Sequence, residues 1–482
     1  MQENKKAARP HRRQSILGKH PEIILPTWFF VALFLGMLGY LCYFTATNRQ
    51  ELFDNSYNTR QQVLQSQNYR GSIYSSDGKI LASTQTDSQG KETRQYPYNA
   101  LFAHTVGYAT RGRTGIEALA NYYLLDSHIS LSKKAVNDAA GVKNPGDNVY
   151  TTLDTSLQQT ASVALGSARG AVVVTEVSTG RVLAMVSKPD FNPNTISTQW
   201  EKLSSDMDSS VLLNRAAQGL YPPGSTFKIV TALEYIRENP DTWQDYSFQC
   251  TGSFQYGNSK ISCYHGSKHG QVDFTKSFAK SCNSSFANIG VSLDKDAFAK
   301  TLSTLLFDTS LPTDILSGKS SVYISSSMTD ADLMQAAIGQ GKTQITPLHM
   351  NLLTCAIANG GFLMEPYLID TVKSADGTLV KSFRPKVYGS LMSEEEASIL
   401  SGLMTEVVES GTATKLKNNT YTAAGKTGSA EYDSKGNSHA WFTGFAPAED
   451  PRIAVTVIVE GGGSGGETAV PIARKIFNEY FQ

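Results

Sequence analysis

The chain carries no net charge, because 43 lysines and arginines balance 43 aspartates and glutamates. A nucleic-acid partner, which selects a basic excess, is therefore not indicated. Cysteine is scarce, at 5 in 482 residues, so each one can be weighed singly. Charge is missing altogether from Ile23 to Asn48. That run is rich in Leu and Phe and exceeds the ~20 residues a helix needs to cross a bilayer. It is longer than the apolar core of a secretory leader, and no A-x-A-like cleavage site clearly follows it. It is read as an uncleaved anchor rather than a cleaved signal. Within the first twenty residues, Lys5, Lys6, Arg9, Arg12, Arg13 and Lys19 face one acid, Glu3. This excess puts the N-terminus in the cytoplasm, with Trp28 and Tyr43 at the two interfaces. The glycine-rich turn at 461–466 lacks a following G-K-[ST], which argues against a phosphate cradle.

Three short motifs stand out along the rest of the chain: Ser225-Thr226-Phe227-Lys228, Ser281-Cys282-Asn283 and Lys426-Thr427-Gly428-Ser429. Singly they are weak, since S-x-x-K recurs at Ser130–Lys133 and Ser277–Lys280, and S-x-N at Ser56–Asn58 and Ser66–Asn68. The copy at 225 follows Tyr221-Pro222-Pro223-Gly224, a stiff turn that starts a helix. Ile229, Val230, Leu233 and Ile236 continue it at helical spacing. Ser225 and Lys228 then share one face of the first turn, within reach of each other. A serine hydroxyl needs an adjacent base to act as a nucleophile. Lys228 can serve if burial or a neighbouring cation such as Lys426 lowers its pKa. Ser281 can relay a proton to a leaving amine, and Asn283 can donate to a substrate carbonyl. Gly428 lets a ligand lie close to the strand backbone. The N–H groups of Ser225 and Ser429 are candidates for an oxyanion hole.

In this order, S-x-x-K, S-x-N and K-T-G resemble the signature of the penicillin-binding protein and serine β-lactamase superfamily. Residues 171–189 (AVVVTEVSTGRVLAMVSKP), Asn214-Arg215-Ala216, 337–347 (AIGQGKTQITP), Gly411-Thr412-Ala413 and 439–447 (HAWFTGFAP) look like the transpeptidase domain of class B penicillin-binding proteins. Tyr69-Arg70-Gly71-Ser72-Ile73, with Asp77-Gly78, is similar to the opening of the class B N-terminal domain. The resemblance implies an α+β chain. Its parts are a cytoplasmic tail (1–22), a single transmembrane helix (23–48), a small membrane-proximal pedestal (49–149) and a transpeptidase domain (150–482). In the last, an antiparallel sheet is covered by helices and carries an all-helical subdomain.

The implied activity is D,D-transpeptidation of peptidoglycan stem peptides ending in D-Ala-D-Ala, through an acyl-enzyme on Ser225 that β-lactams also form. Lys228, Ser281, Asn283 and Lys426 complete the catalytic set, and Thr427, Gly428 and Ser429 hold substrate. A polytopic membrane glycan polymerase of the SEDS family is the implied partner. A D,D-carboxypeptidase would use the same residues with water as acceptor, and a non-enzymatic β-lactam receptor would stop at acylation. A β-lactamase needs a deacylating base, and no E-x-x-L-N lies between the second and third motifs.

The chemistry needs no cofactor, but Cys250, Cys263, His265 and His269 form C-x12-C-x-H-x3-H, close to zinc-ligand spacing. A Cys250–Cys263 disulfide and reduced thiols are the rival readings. Cys42 and Cys355 read as buried thiols, and Cys282 as packing. At the level of elements, Asp154 caps a helix to about 168, a hairpin spans 170–177 and 181–187, and 225–420 is mostly helical. Strands return at 421–431, 440–446 and 453–459, and a helix closes the chain over 471–481.

Overall fold

The uncharged run folds as one helix, Pro21–Thr47, whose segment Ile24–Phe44 is long and apolar enough to cross a membrane. Trp28, Phe29, Phe34 and Leu38 are all exposed on it. A helix apolar on every side suits lipid rather than water. Cys42 on this helix is exposed rather than buried, in line with the apolar side chains that the helix presents outward along its length. The computed structural model describes residues 21–47, 60–417, 420–433 and 436–482. The basic N-terminal cluster and most of the 49–67 stalk lie outside the described residues.

Contacts divide the chain into residues 1–64 and residues 65–482. The expected boundary at 149/150 falls inside the strand Asn148–Thr151. Strands Ile73–Tyr74, Ile80–Thr86, Glu92–Gln95 and Asn148–Thr151 share one six-stranded sheet with Ile369–Lys373 and Leu379–Ser382. The last two come from a stretch expected to be mostly helical. They are short, and their pairing across some two hundred residues leaves no local periodicity to read. Beside this sheet, Glu117 is fully buried and accepts from Arg70 Nε at 2.6 Å and Arg94 Nε at 2.7 Å. Burial alone raises its pKa; the two guanidiniums outweigh that and hold it below the usual carboxylate range. Arg70 of the Tyr69–Ile73 motif is therefore half of an ion cluster that fastens the pedestal's strands.

The catalytic part is built on five antiparallel strands in the order Ala424–Glu431, Ser438–Ala446, Ile453–Val459, Gly170–Glu176, Val182–Lys188. Every residue of Ile453–Val459 is buried, so the run is apolar without alternation, as expected for a strand covered on both faces. Helices Thr155–Leu165 and Gly465–Phe481 pack together against the sheet, and Pro347–Ala358 packs against its central strands. Asp154 caps the first of these by accepting from the Leu157 N–H at 2.9 Å. That helix ends at Leu165, before Gly166 at φ 63°, and does not reach 168. The closing helix begins at Gly465, not at residue 471. A Cβ at 465 would lie 2.2 Å from Trp441 O and 2.5 Å from Gly428 O, so glycine is what allows the helix end to seat on the strands.

Candidate active site

Ser225 lies in a 3-10 turn, Gly224–Phe227, that runs into the α-helix Lys228–Glu238. The first turn is thus tighter than the α-turn expected. Side chains at i and i+3 eclipse in 3-10 geometry, so Ser225 and Lys228 stand one above the other. The turn is braced from several directions. Gly224 N donates to Gly339 O at 2.9 Å, Tyr221 N to Ile345 O at 3.1 Å, and Trp441 Nε1 to Pro222 O at 3.0 Å. Behind Tyr221, Glu460 accepts from the Tyr221 hydroxyl at 2.8 Å and from Arg215 Nε at 2.7 Å. Arg215 and the 337–347 segment, noticed in the sequence only as resemblance, therefore fix the turn that carries Ser225. The decoy Ser130 sits at the start of a helix, Leu131–Ala139, that buries no residue.

The second motif meets both lysines. Lys228 Nζ donates to Ser281 O at 2.7 Å, Asn283 Oδ1 at 2.7 Å and Ser281 Oγ at 3.3 Å. Lys426 Nζ donates to the same Ser281 Oγ at 2.9 Å. The hydrogen bonds of Lys228 thus run to Ser281 and Asn283 rather than to the Ser225 hydroxyl. Ser281 holds φ 56°, a left-handed conformation that non-glycine residues keep only where their surroundings enforce it. Both lysines are fully buried. Burial pushes the Lys228 ammonium down to about 7. Burial first, and then the Lys228 charge, push Lys426 well below its ordinary value. An amine that is neutral near pH 7 can accept a proton, and a free lysine cannot.

The third motif lies on Ala424–Glu431, the edge strand of the sheet. An edge strand has one backbone side without a strand partner, and here it borders a cleft of about 560 Å³ that Ser225, Ser281, Asn283, Thr427 and Ser429 line. Thr427 Oγ1 lies 2.5 Å from Thr412 Oγ1, which ties in the Gly411-Thr412-Ala413 segment. A Cβ at Gly428 would lie 2.9 Å from Pro223 O and 3.1 Å from Trp441 Cβ. What approaches this glycine closely is the Ser225 turn itself, so its smallness seats that turn against the strand. An acyl-transfer centre follows: one hydroxyl at the cleft, a neutral amine below it, and a second hydroxyl shared between two lysines.

The sulfur and imidazole groups gather differently from the sequence expectation. Cys250, Cys263, His269 and Cys282 bring their ligand atoms within 4.8 Å of one another. Cys250 Sγ lies 3.7 Å from Cys263 Sγ and 3.5 Å from His269 Nδ1, and Cys263 Sγ lies 3.7 Å from Cys282 Sγ. His265 is outside the group. It sits at φ 50° with its ring 4.0 Å from that of Tyr264, in a turn that aims it elsewhere. Cys282, expected to be packing, takes its place. Cys355 is buried as expected, and burial alone pushes its thiol up to about 12.

A serine at a braced turn, two buried lysines and a serine between them, all at the edge of a five-stranded sheet, define a penicillin-binding type of acyltransferase. Residues 170–478 match the model of the penicillin binding protein transpeptidase domain, and residues 70–149 that of the penicillin binding protein A dimerisation domain. The peptidoglycan D,D-transpeptidase PbpA of Mycolicibacterium smegmatis is 32% identical over 436 residues, covering 84% of this chain and 87% of that one. The ceftriaxone acyl-enzyme complex of penicillin-binding protein A from M. tuberculosis superposes with a TM-score of 0.79 at 28% identity, over 87% of this chain and all of that one. The D,D-transpeptidase domain of a peptidoglycan glycosyltransferase from Eggerthella lenta gives 0.78 at 30% identity, covering 86% of this chain and 98% of that one. The chain belongs to the class B penicillin-binding proteins.

Proposed function

We propose that this chain cross-links peptidoglycan as a serine D,D-transpeptidase, using stem peptides that end in D-Ala-D-Ala, and that β-lactams acylate it at Ser225. The observation that carries the reading is the Ser281 hydroxyl held between Lys228 and Lys426 beside Ser225. Ser225 Oγ attacks the penultimate D-Ala carbonyl while neutral Lys228 takes the hydroxyl proton. The N–H groups of Ser225 and Ser429 donate to the oxyanion that forms. Ser281 passes a proton to the departing D-Ala amine, and the two lysines around it restore that proton. Lys426 and Thr427 hold the terminal carboxylate, and Asn283 orients the acyl chain. The amine of a second stem peptide then attacks the ester and releases Ser225.

The chemistry needs no cofactor. The thiol and imidazole cluster is read as a structural zinc site of Cys250, Cys263, His269 and Cys282. The apolar helix is a single-pass anchor; the basic residues ahead of it support a cytoplasmic N-terminus with the catalytic part outside. A polytopic SEDS-type glycan polymerase is the expected partner, because a cross-linking enzyme acts where new strands emerge.

A fluorescent penicillin should label the full chain covalently, and Ser225→Ala should abolish the label while costing at most about 2 kcal/mol of stability. Offered a donor peptide and an acceptor amine, the enzyme should form the amide adduct. Hydrolysis alone, with the acceptor in excess, would replace transpeptidation by carboxypeptidation.

A further inference from the structure

We propose that a zinc ion held by Cys250, Cys263, His269 and Cys282 sets the geometry of the Ser281-Cys282-Asn283 motif and thereby controls the rate at which Ser225 is acylated. This rests on the reading of the cluster as a zinc site. Tetrahedral zinc, with Zn–S about 2.3 Å and Zn–N about 2.0–2.1 Å, places neighbouring sulfurs ~3.8 Å apart and sulfur and nitrogen ~3.5 Å apart. Three of the six pairwise separations are 3.7, 3.7 and 3.5 Å, and all six lie within 4.8 Å. The three sulfurs are buried, in a small cluster of their own with Phe248 against it. Donors point at them: Ser284 N–H and Oγ approach Cys263 Sγ, and Ser285 N–H approaches Cys282 Sγ. Both N–H groups belong to the start of the helix Asn283–Ser292, where the dipole favours negative charge. Three thiolates and one imidazole around Zn²⁺ carry a net charge of −1, which those donors would stabilise, and such outer contacts tune metal sites.

The ligands come from separate parts of the chain. Ser247–Cys250 pairs with Gly270–Asp273, and Ser253–Tyr256 with Ser259–Ser262, as separate two-stranded sheets. These short ladders bring Cys250, Cys263 and His269 to one point. The fourth ligand, Cys282, lies between the two residues that receive the Lys228 hydrogen bonds. It is also next to Ser281, whose left-handed backbone needs a surrounding that enforces it. A metal bond at residue 282 supplies that constraint from one side, and the lysines supply it from the other. Cys282 is therefore a positioning residue. It touches no substrate, but it fixes the carbonyl and hydroxyl that Lys228 and Lys426 grip.

The test uses the full chain purified under reducing conditions. Elemental analysis should give about one zinc per chain. Stripping the zinc and adding it back on wild-type protein should lower and then restore the acylation step with benzylpenicillin, by about tenfold or more. The preceding non-covalent binding constant should change by less than about twofold, because a positioning effect acts on the chemical step. Cobalt substitution should give thiolate-to-metal charge-transfer bands that weaken in Cys282→Ser, while His265→Ala keeps its metal. Since Cys282→Ser can fail to fold, the strip-and-restore series on wild type is decisive. No zinc in the reduced protein and none bound on addition overturns the zinc reading itself. Bound zinc whose removal lowers the melting temperature but leaves the acylation step unchanged overturns the present proposal and leaves the zinc reading standing.

Discussion

Replacing Lys228 by methionine should make the protein more stable and nearly inactive at once. Methionine keeps the buried stem and removes only the amine. Burial lowers the Lys228 ammonium from 10.5 to about 7, and at ~1.4 kcal/mol per pH unit this is roughly 5 kcal/mol of unfavourable charge burial in the folded state below that pH. Against it, Ser281 O and Asn283 Oδ1 lose a donor, at about 1 kcal/mol each because the cleft admits water. The balance is a gain of about 3 kcal/mol near pH 7, or several degrees of melting temperature. Its pH dependence has a definite sign. Between about 7 and 10.5 the unfolded lysine keeps its proton while the folded one has lost it. Wild-type stability therefore rises with pH across that window, and the advantage of the variant shrinks toward its upper end. Melting curves of both proteins at a series of pH values, with penicillin acylation measured alongside, test this directly. Acylation should fall by at least ~10²-fold, as for a lost general base. A variant less stable than wild type below neutral pH, or a gap that does not narrow as pH rises, would refute the buried-amine argument. Fast acylation in the variant would place the base elsewhere.

Acylation by wild type should itself rise about tenfold per pH unit below Lys228's value of about 7 and level off above it, because only the neutral amine takes the proton; a flat profile across that range would exclude Lys228 as base. Gly465→Ala should destabilise by ~1–3 kcal/mol through the contact of its Cβ with Trp441 O at 2.2 Å, whereas Gly402→Ala, in a helix with open space around it, should stabilise by ~0.5–1 kcal/mol; equal melting temperatures for the two would undercut the seating of the closing helix on the strands.

What the sequence made legible is what it writes locally. Ile453–Val459 is a run apolar but for Thr456, between turn residues, and is readable to the residue, and the hairpin around Ser178-Thr179-Gly180 is readable almost as well. The anchor could be read from an absence of charge. The three motifs could be read because S-x-x-K, S-x-N and K-T-G are tied to fixed chemical roles. What stayed hidden depends on distant pairing. Strand Asn148–Thr151 joins Ile369–Lys373 in register, and neither segment alone signals the other, so a sheet shared across residue 149 leaves no trace in the sequence. The short strands inside the mostly helical stretch 225–420 stayed hidden for the same reason, since they run only three to five residues.

The cysteine group shows where reading along the chain goes wrong in a more specific way. His265 stands two residues beyond Cys263, in a pattern with zinc-like spacing, and Cys282 fills the variable position of S-x-N. Linear distance favoured the first and motif grammar hid the second. The backbone reverses both choices. His265 takes a left-handed turn conformation that aims its ring at Tyr264. Cys282 caps the helix Asn283–Ser292, accepting from the Ser285 N–H, and so is presented to Cys263 from another element. The variable position of a catalytic motif is variable with respect to substrate only. Here its side chain lies 3.7 Å from Cys263 Sγ, where a residue that can be held firmly influences the serine and asparagine beside it. In this chain that residue is a cysteine within ligand distance of three others, so the slot that the motif leaves unspecified is the one through which the loop at 250–269 reaches the catalytic serine pair.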